Sequence, residues 1–308
     1  MEQRRIRAIG GLVVFVAFLW LLPSGGLAAT ITVDCNAGGT IGGTLSGLKP
    51  GDTLQVSGTC NEHLLIPEHV VNVTLDGQGK ATIKGPDSAR HNIQVRGRGI
   101  VIKKFTITGG RNGIDVQWGG AVIIDGNTIQ NTGFIGIVAS TGSFIGVVNN
   151  VIQNNPQSGI LVRDSSSARI GSISFFEPSP SPNTIQNNGA IGIVVTRSSA
   201  ATIGGNIIRS NKRNGVAVVG ASHADIINNA IEGNAENGIH VAENSVVNLS
   251  NAGPGWLALP NKTDTAANNV GFGIKCSTGA YAAACLGTLT GAKGAKEFDN
   301  TCIDGLSP

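Results

Sequence analysis

The chain has 308 residues, of which 13% are charged and 4% aromatic, with 45 glycines, a single methionine and a formal net charge of +3. So low a charge content, with Val and Ile abundant, excludes a disordered polyelectrolyte. Gly- and Asn-rich punctuation between short apolar alternations excludes long helices and describes strands joined by tight turns.

In chain order, residues 1–29 read as a signal peptide. Arg4, Arg5 and Arg7 precede the apolar run AIGGLVVFVAFLWLL, and the small residues of SGGLAAT place cleavage near Ala28 or Ala29. The run is short for a comfortable membrane span. A secreted or periplasmic protein with no membrane attachment after cleavage is therefore expected, with an uncleaved anchor as the alternative. The leader carries three of the 22 basic and one of the 19 acidic residues, leaving 19 against 18. A nearly neutral mature chain lacks the basic surplus of a nucleic-acid binder.

Residues 30–60 read as an N-terminal cap and first coil, 61–276 as a repetitive body and 277–308 as a C-terminal cap. Cys35 and Cys60 lie at one end, and Cys276, Cys285 and Cys302 at the other. In an exported chain this predicts one disulfide within each end and one thiol left over, its identity open. There is no CxxC pair and no nearby histidine, so no metal site is expected.

The body repeats. The glycine before each Ile/Val-x-Val/Ala unit falls at Gly113, Gly136, Gly159, Gly192, Gly215 and Gly238, at intervals of 23, 23, 33, 23 and 23. The long interval holds SFFEPSPSP, a loop thrown out of one coil. Each unit contains three short period-two alternations, as in ADIIN, NAI and NGIHV, each too short for a helix. Three such strands cannot bury their own apolar face, but stacked units can. The expected fold is all-β: a single-stranded right-handed parallel β-helix of about ten coils. Asn127, Asn150, Asn183, Asn206 and Asn229 share one turn position. Asn155, Asn188, Asn211 and Asn234 share a second, broken by Thr132, and both predict stacked ladders that also supply the left-handed backbone of the turns.

With these repeats, and with TVDCNAGGTIGGTLSGLKPGDTLQVSGTCNEHLLIP followed by VTLDGQGKATIKG, the chain resembles the pectin-lyase-like superfamily of right-handed β-helices over roughly residues 30–276. The resemblance implies the fold. It leaves function open among polysaccharide lyases, hydrolases, epimerases and adhesins. No Asp-Pro-His-Asp, Gly-His-Gly or Arg-Ile-Lys signature is present. Nor is there a stacked set of acids such as calcium-dependent pectate lyases resemble, so no cofactor is expected and calcium lacks support.

Outward positions of the Gly-Ile-x-Val unit run Gln94, Asp115, Val138, Leu161, Val194, Ala217, His240 and Lys275, apolar in the middle. An exposed apolar stripe there would favour a non-catalytic surface or periplasmic scaffold. Between residues 80 and 115, eight basic residues (Lys80, Lys84, Arg90, Arg96, Arg98, Lys103, Lys104, Arg111) face two acids, Asp87 and Asp115, with His91 beside them. Elimination on a uronic acid needs a base, a cation on the carboxylate and an acid for the leaving oxygen. The candidates are His91, Arg111 or Lys103 as base, Arg96 as neutraliser and Asp115 as partner, with Gln94, Gln117, Trp118, Arg163 and His240 binding substrate. Trp256 is a stacking platform or a packing residue. The leading expectation is an exported protein engaging polysaccharide, a uronate-containing one if it is a lyase.

Overall fold

The computed structural model describes residues 28–174, 179–250 and 255–307. Expectations for the signal peptide and part of the inserted loop fall outside these residues. The described chain is a parallel β-solenoid of about 12 turns, two more than the repeat count suggested. The difference arises at the ends. Thr30–Asp34 stacks on Thr53–Ser57, and Ile303–Ser307 stacks on Tyr281–Cys285, so both terminal segments add rungs.

The strands form an 18-stranded and a 10-stranded sheet. The larger contains two ladders joined at the N-terminal end by the long strands Thr74–Gly85 and Ile100–Gly109, which run across both. The smaller holds the Gly-Ile-x-Val strands in unbroken register, with Gln94, Asp115, Val138, Leu161, Val194, Ala217, His240, Lys275 and Glu297 in one column. The 33-residue interval keeps phase, since Ile160 pairs with Ile193.

The alternation fills the core. Ile114, Val116, Ile137, Ile160, Val162, Ile193 and Val195 are completely buried, and each such side chain contributes about 1.5–3 kcal/mol relative to exposure. The repeat glycines follow from close stacking. A Cβ on Gly136 would lie 2.6 Å from the Gly159 carbonyl oxygen and 2.8 Å from Ile152 Cγ2.

Buried asparagines run up two corners. Asn150 donates through Nδ2 (3.0 Å) and its backbone N–H (2.9 Å) to Asn183 Oδ1, and Asn183 does the same to Asn206 (2.8 and 3.1 Å). The ladders continue to Asn261 and Asn269. Thr132 does not break the second one: its hydroxyl donates to Asn155 Oδ1 at 3.0 Å. The left-handed backbone belongs instead to the preceding residues, including Asn149, Asn154, Asn187 and Asn228. A third ladder, absent from the sequence reading, links the backbone N–H of Ser143, Ser166, Ser199 and Ser222 to the hydroxyl of the next serine, ending at Ser245.

At the N-terminal end the short helix Ile41–Leu45 buries Ile41 and Leu45. Glu62 accepts from the N–H groups of Ile41 and Gly42, at 2.9 Å each, satisfying donors a helix start leaves open. Disulfides join Cys35 to Cys60 and Cys276 to Cys302, with Cys285 outside both. Among the described residues no helix is long and apolar enough to cross a membrane.

Candidate functional site

The outward column of the smaller sheet is not an exposed stripe. Asp115, Val138 and Ala217 are almost wholly buried, and Leu161 and Val194 are half-buried. The reason at the N-terminal half is a wall built by the turns that precede each strand. Gly133 N–H donates to Gly110 O at 2.7 Å and Gln157 N–H to Phe134 O at 2.8 Å, so these turns stack as regularly as the strands. Phe134 packs against Arg111, whose guanidinium carbon lies 5.7 Å from the ring centre.

Between this wall and the sheet lies a cavity of about 170 Å³, lined by His91, Arg111, Asn112, Asp115, Gln117, Arg163 and, on its apolar side, Phe134, Ile135, Val138 and Leu161. Asp115 forms the floor. Its Oδ2 accepts from Asn112 Nδ2 at 2.6 Å, its Oδ1 accepts from Gln117 Nε2, and Gln117 Oε1 in turn accepts from Gln94 Nε2 at 2.9 Å. A buried carboxylate needs such donors to remain acceptable in a low-dielectric site. His91 Nδ1 lies 3.4 Å from Asp115 Oδ2. Burial is the main cause that holds His91 below the usual histidine value. Asp115 opposes this, while Arg111, Arg163 and His63 lower it further. At neutral pH His91 is thus an uncharged imidazole facing an anion on one side and cations around it.

The structure brings together His91, Arg111, Asp115, Gln117 and Arg163, the last also 3.4 Å through Nε from Asp164 Oδ2, and sets Gln94 against Gln117. It does not bring in Arg96, whose guanidinium lies 3.4 Å from Glu68 Oε1, or Lys103, which pairs with Asp76 at 3.3 Å on the other sheet. Trp118 is 61% exposed in the following turn, at a positive φ of 56°, and does not line the cavity. His240 lies five rungs along the column, roughly 24 Å away at the usual strand spacing, and contacts Ser277 Oγ at 3.2 Å. Burial, then Lys275, lowers its pKa. Trp256, 7% exposed, clusters with Ile227 and Leu257. It packs the insertion onto the rod.

Three neighbours escaped the sequence reading. Asn112 precedes a repeat glycine, as Asn214 and Asn237 do, and that recurrence could have flagged it. Phe134 carried no pattern signal. His63 lies before the repeat glycines begin, so its register could not be counted. It contacts the His91 carbonyl oxygen through Nδ1 at 2.9 Å and lies 3.2 Å from Asp87 Oδ2 through Nε2. With Leu65, Arg90 and Gln94 it lines a second cavity of about 350 Å³ that shares His91 and Gln117 with the first.

A family model described as the right handed beta helix region matches residues 91–179 and 181–252, just over half of the chain. The chain belongs to the right-handed β-helix family. No curated protein matches it in sequence. Among solved structures it is similar to pectate lyase Pel9A, at 12% identity and a TM-score of 0.58, covering 90% of this chain and 80% of that one. The Azotobacter vinelandii mannuronan C-5 epimerase AlgE4 A-module aligns at 15% identity and 0.46, covering 92% and 93%. The periplasmic alginate epimerase AlgG aligns at 13% and 0.49, covering 90% and 84%. At these identities the likeness is one of fold.

Proposed function

We propose that this β-helix protein is exported and acts on a uronate-containing polysaccharide by removing the proton at C5. The carrying observation is the cavity itself: a neutral, half-buried histidine set against a buried carboxylate, with Arg111 and Arg163 on its rim. With Nδ1 turned to Asp115, Nε2 is the nitrogen left to accept a proton. The guanidiniums pair with the uronate carboxylate and stabilise the negative charge that spreads onto it as the C5–H bond breaks. Asp115 then stabilises the imidazolium that forms, as an orienting carboxylate does in histidine-based catalysis.

In elimination, the C5–H electrons form the C4–C5 double bond, the C4–O4 bond breaks and the leaving oxygen takes a proton. His91, now protonated, is the acid placed to deliver it. Positioned general-base catalysis supplies about 10²–10⁴-fold. Support also comes from the fold shared with a pectate lyase. An apolar scaffold face is not favoured, because the stripe that would form it is largely buried.

The test incubates mature protein with pectate, alginate and other polyuronates, with and without calcium, and follows ultraviolet absorbance of unsaturated ends. Loss of signal in His91→Ala and Arg163→Ala supports elimination at this site. Deuterium incorporation at C5 without new absorbance would mean that the proton is removed and returned without bond cleavage. Neither signal on any polyuronate would overturn the reading.

A further inference from the structure

The apolar half of the cavity has no task in proton removal. Directly above Asp115 in the outward column stand Val138 and Leu161, followed by Val194 and Ala217. Val138 is 1% exposed although it points away from the core, and Phe134 and Ile135 close on it from the wall. A plain uronate residue brings a carboxylate and hydroxyls, which lose hydration against such a surface with no donors to replace it. Yet Arg111 and Arg163 require a free carboxylate on the same sugar.

We infer that the sugar taken here carries a short O-acyl ester on a ring hydroxyl, with its carboxylate ionised, and that the acyl methyl seats against Leu161 and Phe134, over the buried Val138. This rests on the uronate reading above and names its substrate class. Two features fix the chemistry. The apolar lining asks for an alkyl group, and the paired guanidiniums exclude placing that group on the carboxylate, where a methyl ester would remove the charge they recognise. The size of the cavity, about 170 Å³, suits one sugar ring with a small substituent. Beyond it the column offers no polar side chain until His240, so the rest of an anionic polymer is directed the other way, over Gln94 and Arg90 in the adjoining cavity.

The experiment measures calorimetric binding of O-acetylated oligomannuronate and oligogalacturonate, each beside its de-O-acetylated form and its methyl-esterified form. Filling an apolar pocket with one small group changes discrimination by about ten-fold or more. The acetylated form should bind about ten-fold tighter than the de-O-acetylated one, and the methyl ester weakest. In Leu161→Asn the ratio of acetylated to de-O-acetylated affinity should fall towards one. Leu161→Ala, which removes the apolar contact without adding a polar group, gives the same readout should the first variant fold poorly. Equal affinity of the first two forms overturns the acyl inference while leaving the uronate site standing, whereas tightest binding of the methyl ester removes the free-carboxylate premise and overturns both. Binding by none of the six ligands overturns both.

Discussion

Asn187 and Asn188 are adjacent asparagines with different jobs, and they give a direct test of what the repeated Asn-Asn pairs do. Asn188 is fully buried. Its Oδ1 accepts from Asn155 N–H (3.2 Å) and Nδ2 (2.9 Å), and its Nδ2 donates to Ile152 O (3.2 Å) and Asn211 Oδ1 (3.0 Å). In Asn188→Ala two donors of Asn155 and one carbonyl lose partners where water does not reach. Each orphaned buried group costs about 1–3 kcal/mol, so the total for the three is about 3–9 kcal/mol. Asn187 is exposed and sits at a φ of 56°. Asn187→Ala should cost about 1–2 kcal/mol from left-handed backbone alone, and Asn187→Gly close to nothing. Because a solenoid can unfold in stages, urea titration by tryptophan fluorescence should be paired with hydrogen exchange. Asn188→Ala should lower protection in the rungs around Asn155 and Asn211. Equal destabilisation by Asn187→Ala and Asn188→Ala would refute the division of labour.

The same geometry yields other outcomes. Gly159→Ala places a Cβ 2.8 Å from the Gly192 carbonyl oxygen and from Ile185 Cγ2; both neighbours are fixed, so expression or melting temperature should fall more than for Gly142→Ala, where nothing lies within 4 Å and only the positive φ opposes the change. With burial holding the His91 pKa down, the neutral base persists below the ordinary histidine value, and kcat/KM should fall only at still lower pH. Arg111→Ala removes a cation that lowers this pKa and should move the acidic limb and the His91 NMR titration upward; Asp115→Asn should move the titration downward and reduce kcat by about 10²–10³-fold. Linkage runs in the matching direction: a depressed folded pKa means that stability contributed by His91 is present above the unfolded value and lost as pH falls through the folded one, which denaturant midpoints across the acid range can check. Cys302→Ala opens a loop of sequence separation 26, costing about 3–4 kcal/mol in the chain-entropy account, and should fray the last rungs first in hydrogen exchange.

The fold was legible because a solenoid writes its structure at one fixed period. Once Gly113, Gly136 and Gly159 are aligned, the inward Ile and Val, the ladder Asn and the long interval before Gly192 follow from counting. Counting failed where the period did. The first coils carry no repeat glycine: alternation from Gln94 puts Arg96 on the same outward face, but the strand Ile93–Val95 ends before it and its guanidinium goes to Glu68. The serine ladder was missed because Ser is common in loops for other reasons, and only its recurrence at Ser143, Ser166, Ser199, Ser222 and Ser245 distinguishes it.

The site was half legible, and the division has a physical cause. Residues on the strand column, Gln94 and Asp115, could be placed because strand register is rigid and alternates faces. Outward, however, is not the same as exposed. Val138 shares the cavity wall with Phe134 and Ile135, and Asp115 is held by Asn112 and His91, residues of turns whose height above the sheet no period encodes. Those turns turn a flat sheet into a cavity, and they lower the His91 pKa by removing its water. A β-helix can therefore keep its repeat intact and change chemistry by altering the turn before a strand. In this chain two successive turns set Arg111 against Phe134, a cation beside an apolar ring, which joins the carboxylate-binding and apolar halves of the cavity in one contact.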